Sequence, residues 1–141
     1  MRLIVDASVI IKWSIEEDDH ALAIAVLTGG HELLAPDLAL IEIGNILWKK
    51  VLRGEVDPAQ AAKALTFTRL AGASLVPSSD LIPRSLDLAI ELQHPIYDCI
   101  YLAAAERYDA VMVTADRRLL ASVRGNALAA RTQALSELRA P

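Results

Sequence analysis

Four carboxylates in this chain stand where carboxylates are unusual. Asp6 closes the apolar run "RLIV", and Asp116 follows the apolar run "VMVT" by two residues. Asp98 lies in the first turn of "HPIYDCIYLAAAERY", a helical stretch apolar nearly all the way round, and Glu42 is set between Ile41 and Ile43. Brought to one partly buried pocket, four such groups would repel one another strongly unless something neutralised them. A divalent cation is the natural remedy, and an all-oxygen ligand set favours the hard ions magnesium or manganese. Three of the four have a plainer reading when taken alone. Asp98 reads as a helix cap, Asp6 as a turn residue and Asp116 as the N-cap of "RRLLASV". Glu42 resists such a reading, because a helix position between apolar neighbours rarely holds a charge without a partner, and Lys49 and Lys50 lie too far along the helix to pair with it.

The elements that must position these acids follow from the pattern of apolar residues. Residues 2 to 6 read as a first, fully buried strand, too short for a helix. Ser8 is a possible N-cap for the mixed segment "SVIIKWSIEE", and "DDHALAIAVLTGG" reads as a helix that starts on acids and stops at Gly29 and Gly30. "HELLAP" fits a second strand. Pro36 and Asp37 open a helix that runs to Gly54, with Lys49, Lys50 and Arg53 in its last turns. The next helix has Asp57 as N-cap, Pro58 at its first position and Gly72 as terminator. "ASLVPS" reads as a third strand, a helix starts at about Pro83, and residues 94 to 108 form another. "DAVMVTAD" repeats the form of the first strand, "RRLLASVRG" is a short helix closed by Gly125, and "LAARTQAL" is read as an edge strand. Strands separated by helices imply a parallel sheet with helices on both faces, a doubly wound α/β/α fold of four to five strands. In such sheets ligands bind beyond the carboxyl ends of the strands, where strand order reverses, so strand-ending acids are the first suspects.

Composition limits the alternatives. A chain of 141 residues is the size of a single domain, 1–141. It is 54% hydrophobic but only 4% aromatic, a composition for a core of Leu, Ile, Val and Ala. No apolar run approaches the roughly 20 residues of a membrane span, and the acid in "MRLIVDASV" does not suit a signal peptide, so a cytoplasmic protein is expected. The lone Cys99 excludes an internal disulfide and a thiolate zinc site, and reads as core filler. A net charge of −4 argues against non-specific coating of nucleic acid while leaving room for a local basic patch. His20, His31 and His94 fall at junctions between elements and receive no role.

Four segments together carry a family resemblance. "VDASVIIKW", "PDLALIEIGNILWK", "YDCIYLAAA" and "VTADRRL" occur in an order that resembles the PIN domain, and most closely its VapC-type bacterial toxins, from Met1 to about Gly125. The resemblance implies a metal-dependent endoribonuclease, the toxin of a toxin–antitoxin pair, held silent by a cognate antitoxin and inclined to pair as a homodimer. Carried over residue by residue, Asp6, Glu42, Asp98 and Asp116 match the acidic quartet. Ser8 and Thr114 match hydroxyl residues that border the pocket, and Asn45 matches a polar position one helical turn after the glutamate. The cofactor implied is Mg²⁺ or Mn²⁺, which would lower the pKa of a water and direct it in line at a phosphodiester. Asp6 and Asp98 are expected as ligands, Glu42 as ligand or water-orienting base, and Asp116 as ligand directly or through water, with Ser8 and Thr114 orienting carboxylates from behind.

RNA also needs positive charge beside such a pocket. Lys12, Lys49, Lys50, Arg117 and Arg118 are the candidates, Arg117 and Arg118 directly following Asp116, and an ordinary solvated helix face is their plain alternative. Trp13, Trp48 and Tyr97 have the faces to stack on bases, although packing suits the tryptophans better. An apolar face including Leu38, Ile41 or Trp48 would serve a protein interface. A phosphoryl-accepting receiver domain shares the expected fold, but it needs paired acids after the first strand and a late lysine, and no lysine follows Lys63. Dinucleotide-binding and P-loop readings lack their glycine motifs. The remaining alternative is a non-catalytic PIN-like module that binds RNA or a partner; loss of an acid would mark it, and all four are present.

Overall fold

The computed structural model describes residues 1–138. Five strands, β1 (Arg2–Val5), β2 (Glu32–Pro36), β3 (Ser74–Val76), β4 (Val111–Thr114) and β5 (Thr132–Ala134), form one parallel sheet in the order β3-β2-β1-β4-β5. Seven α-helices are seen among the described residues: α1 (Ala7–Ile10), α2 (His20–Thr28), α3 (Leu38–Leu52), α4 (Pro58–Leu70), α5 (Ile82–Leu92), α6 (Ile96–Arg107) and α7 (Arg117–Ser122). The result is the three-layer, doubly wound α/β architecture expected from the sequence. "LAARTQAL" divides between the end of a 3-10 turn (Ala127–Arg131) and the edge strand β5.

The chain steps outward from β1 through β2 to β3, then returns to the other side of β1 as β4 and finishes on β5. Strand order therefore reverses between β1 and β4, which is where a doubly wound sheet opens a crevice. Ile4 lies opposite Met112 and Val5 opposite Val113, so Asp6 and Thr114 leave the sheet side by side. The last three residues of each of these two strands are buried almost completely, because helices cover both faces.

α6 explains its own composition. Every residue from Cys99 to Ala105 is buried, and the helix packs on β1, β2 and β4 as well as on α5. A helix enclosed on all sides cannot be amphipathic. The alanines let it approach the sheet closely, and truncating its fully buried Leu102 to Ala should cost about 2–5 kcal/mol. Trp13 is also buried, its Nε1 donating to the Ala23 carbonyl at 3.0 Å, whereas Trp48 is exposed.

Several element boundaries differ from the sequence reading for local reasons. β1 stops at Val5, because Asp6 turns out of the ladder and caps α1 by accepting from the Val9 N–H; Ser8 is not the cap. Asp37 does not cap α3; its carboxylate accepts from the Ser78 N–H at 3.1 Å while the Ser78 hydroxyl accepts from the Leu38 N–H at 3.0 Å. α2 starts at His20 rather than on the acids, since Asp19 is left-handed (φ 64°) and makes no cap bond. α4 has the expected Asp57 cap, completed by Gln60 as a reciprocal capping box. No helix among the described residues is long and apolar enough to cross a membrane.

Candidate active site

Asp6 is the anchor of the site. It is 6% exposed, and its Oδ1 accepts from the Ser8 hydroxyl at 2.5 Å and from the Val9 N–H at 3.2 Å, while Oδ2 accepts from the Thr114 hydroxyl. The two hydroxyls are themselves held: Ser8 Oγ accepts from the Ala115 N–H and Thr114 Oγ1 from the Asp116 N–H, each at 3.0 Å. The end of β1 is thus laced to the end of β4 through Asp6. Burial pushes the Asp6 carboxyl up to about 6 against these bonds, and the charge of Asp98 adds to the rise.

Asp116 reaches the same region from β4 and caps α7, accepting from the N–H groups of Arg118 at 2.9 Å and Leu119 at 3.2 Å through Oδ1. Its plain reading as an N-cap is therefore fulfilled, with Oδ2 outside that cap. Asp98 is different. It makes no cap bond to α6, whose N-cap is Pro95, so the capping reading does not explain it.

Glu42 comes across from α3 and is the most telling of the four. Its Oε1 is buried without a hydrogen-bond partner among the described residues. Burial first, then the charges of Asp98, Asp6 and Asp116, push this carboxyl up to about 7. The four acids selected from sequence thus share one electrostatic environment. Among the described residues, no lysine or arginine pairs with any of them. Nor do any three acidic, histidine or cysteine side chains converge closely enough, as they stand, to hold a cation. The donor chemistry nevertheless fits one, since it combines several carboxylates, an unpartnered buried oxygen and, among the described residues, no paired lysine or arginine.

Two residues without a role in the sequence reading belong here. Tyr101 is 1% exposed, its hydroxyl has no partner among the described residues, and burial together with Glu42 and Asp6 raises its pKa. The hydroxyl is near enough to oppose the rise at Glu42 without closing a hydrogen bond. His94, at its junction between helices, has its Nε2 2.6 Å from Asp98 Oδ2. The signal available was the reading of residues 94 to 108 as one helix, in which Tyr101 is three residues after Asp98 and His94 four before it; in the structure His94 precedes the helix. Cys99 is buried, and its thiol is pushed up to about 11, as suits inert filler.

The candidate cations separate. Lys12 is largely buried and ion-paired to Glu17 at 3.1 Å, and Lys50 joins the same carboxylate at 2.8 Å. Both line a cleft of about 590 Å³ that contains none of the four acids. Lys12 is thereby occupied on a carboxylate in the loop before α2, which Lys50 ties to the end of α3. Arg117 and Arg118 are exposed and follow Asp116 directly. Asn45 is exposed and shares with Glu42, Leu38, Ile41, Ile46 and Tyr97 an apolar groove of about 390 Å³.

With this geometry in view, comparison with known proteins is direct. The family model described as PIN domain matches residues 3–126. The chain belongs to the PIN domain family. Among the relatives of this PIN domain is Ribonuclease VapC3 of Pyrobaculum aerophilum, 29% identical over 121 residues that cover 84% of this chain and 92% of that protein. The crystal structure of PAE2754 from Pyrobaculum aerophilum superposes with a TM-score of 0.72 at 25% identity, covering 96% of this chain and 90% of that one. VapBC2 from Rickettsia felis, solved bound to a DNA fragment from its promoter, shares the fold with a TM-score of 0.68 at 13% identity, over 95% of this chain and 98% of that one. In this PIN domain all four acids fall inside the matched region.

Proposed function

We propose that this PIN domain is a metal-dependent endoribonuclease, the toxin of a toxin–antitoxin pair working in the cytoplasm. The observation that carries the reading is the unpartnered, buried Glu42 oxygen among Asp6, Asp98 and Asp116, a concentration of negative charge that no lysine or arginine among the described residues pairs with. Asp6, Asp98, Glu42 and Asp116 would hold the ion, Mg²⁺ or Mn²⁺. When bound, such an ion supplies Lewis-acid polarisation of the phosphodiester and makes water a better nucleophile.

The chain's own groups do the rest. Ser8 and Thr114 fix both oxygens of Asp6 and so set its direction. Glu42, whose buried Oε1 has no other partner among the described residues, would orient the attacking water beside the ion. Arg117 and Arg118 meet RNA phosphates beside the pocket, and Tyr97, exposed at the groove, offers a face for an unpaired base. The relative named a ribonuclease supports the substrate class, and the likeness to VapBC2 agrees with an antitoxin partner.

Pairing of two copies is part of the same proposal. Ile41, Trp48 and Leu52 on α3, and Ile82, Leu86 and Ile90 on α5, recur at helical spacing and are exposed. Apolar stripes of that kind mark interfaces.

Incubation of the purified protein with total bacterial RNA and Mn²⁺, followed by sequencing of new ends, tests the function. Discrete internal ends are expected from wild type with metal, and none from Asp98→Asn or in chelator. Folded, manganese-bound wild type that leaves RNA, including its own host's RNA, intact would turn the assignment toward the non-catalytic binding module.

A further inference from the structure

We infer that His94 is a positioning residue for the candidate metal ligand Asp98, set in place by the tight turn between α5 and α6. The inference rests on the proposed cation site, and it assigns a function to a residue outside the acidic quartet. His94 Nε2 lies 2.6 Å from Asp98 Oδ2, and the imidazole is only 9% exposed although its backbone is at a surface turn. A carboxylate oxygen can only accept, so Nε2 carries the hydrogen. Donation to Oδ2 turns the Asp98 side chain to one direction and leaves Oδ1 outside the pair.

The turn fixes the histidine from several sides. Gln93 ends α5 in the left-handed region (φ 51°), and the following His94 N–H donates to the Ala89 carbonyl at 3.2 Å. Pro95 then restricts the backbone of His94 to extended conformations and starts α6. One turn into α6 the Cys99 thiol faces the His94 carbonyl at 3.8 Å. The spacing His94-Pro95-x-x-Asp98 therefore places a preset donor one helical turn before the carboxylate it holds. Asp6 has an equivalent arrangement from Ser8 and Thr114, and Glu42 Oε1 has none. Asp116 is held too, by the N–H groups of Arg118 and Leu119, so three aspartates held and one glutamate left to turn is a distribution suited to two roles, fixed ligation by the aspartates and movement with the water by the glutamate.

Calorimetric titration of Mn²⁺ into wild type, His94→Leu and His94→Gln tests the assignment, with thermal unfolding in chelator as the control for folding. Leucine keeps apolar volume without a donor, and glutamine brings an amide N–H close to the position of Nε2. The expected result is a ~10–100-fold weaker Mn²⁺ affinity in His94→Leu, with recovery in His94→Gln. Cleavage by His94→Leu should then recover as Mn²⁺ is raised, which a defect in RNA binding would not do. Should leucine prevent folding, His94→Asn, whose amide falls one methylene short, replaces it in the comparison. Wild-type affinity in the folded variant lacking the donor, beside normal binding by wild type, would overturn the role of His94 alone. Wild type that binds no Mn²⁺ would overturn the cation site and this inference together.

Discussion

Among single residues, two carboxyls held above their ordinary range set the character of the site. Asp6 and Glu42 resist ionisation because burial strips water from them and neighbouring acids repel a further charge. A carboxyl whose folded pKa exceeds its unfolded value lowers stability as pH rises from the unfolded value through the folded one. In chelator, stability should therefore fall between about pH 4 and pH 7 and then level off, Asp6 alone contributing on the order of 3 kcal/mol. The acids lowered by ion pairs or hydrogen bonds, Glu17, Asp37 and Glu106, have the opposite effect, and it is already complete above their ordinary range. Urea unfolding across that interval is the measurement. Glu42→Gln should flatten part of the slope and unfold at higher urea than wild type at pH 7.5 without metal, while losing cleavage. An unchanged slope would mean that Glu42 is solvated and is no part of a charge cluster.

Among the elements, the decisive join is between the ends of β1 and β4. Thr114 is fully buried, and its hydroxyl donates to Asp6 and accepts from the Asp116 N–H, so one group links two of the four acids. Thr114→Val keeps the shape and leaves both partners unsatisfied, which should cost about 1–3 kcal/mol and weaken Mn²⁺ binding. A variant as stable as wild type in denaturant would show that the hydroxyl does not brace the site. This join also shows what a sequence can and cannot convey. The strands, the burial of α6 and all four acids were legible, because apolar periodicity and out-of-place charge are local signals. That Asp6 rather than Ser8 caps α1 was not, since both types cap helices and only the backbone decides. The ion pair of Lys12 with Glu17, shared with Lys50 from α3, depends on how distant segments meet. His94 and Tyr101 were visible at helical spacing from Asp98, but a histidine at a junction and a tyrosine in an apolar run have ordinary explanations.

For the molecule as a whole, an acidic protein must meet a polyanion. Arg117 and Arg118 are the exposed cations directly beside Asp116, so their joint replacement by alanine in an Asp98→Asn background should weaken RNA binding at every sequence. The slope of log K against log salt should shrink by roughly 1.4, about 0.7 for each single-strand phosphate no longer neutralised. An unchanged slope would place the RNA elsewhere. Self-association belongs here as well. Trp48→Lys with Ile90→Lys should convert a dimer to monomer in sedimentation velocity, and a dimer that survives both would exclude the α3 and α5 stripes as its interface. Cleavage and the role of His94 both require that Asp6, Glu42, Asp98 and Asp116 together hold a divalent cation. Anomalous diffraction from crystals soaked in Mn²⁺ is the decisive measurement. A peak among these four carboxylates, abolished in Asp6→Asn crystals, is the expected outcome; saturating Mn²⁺ with no peak there would refute the cation site.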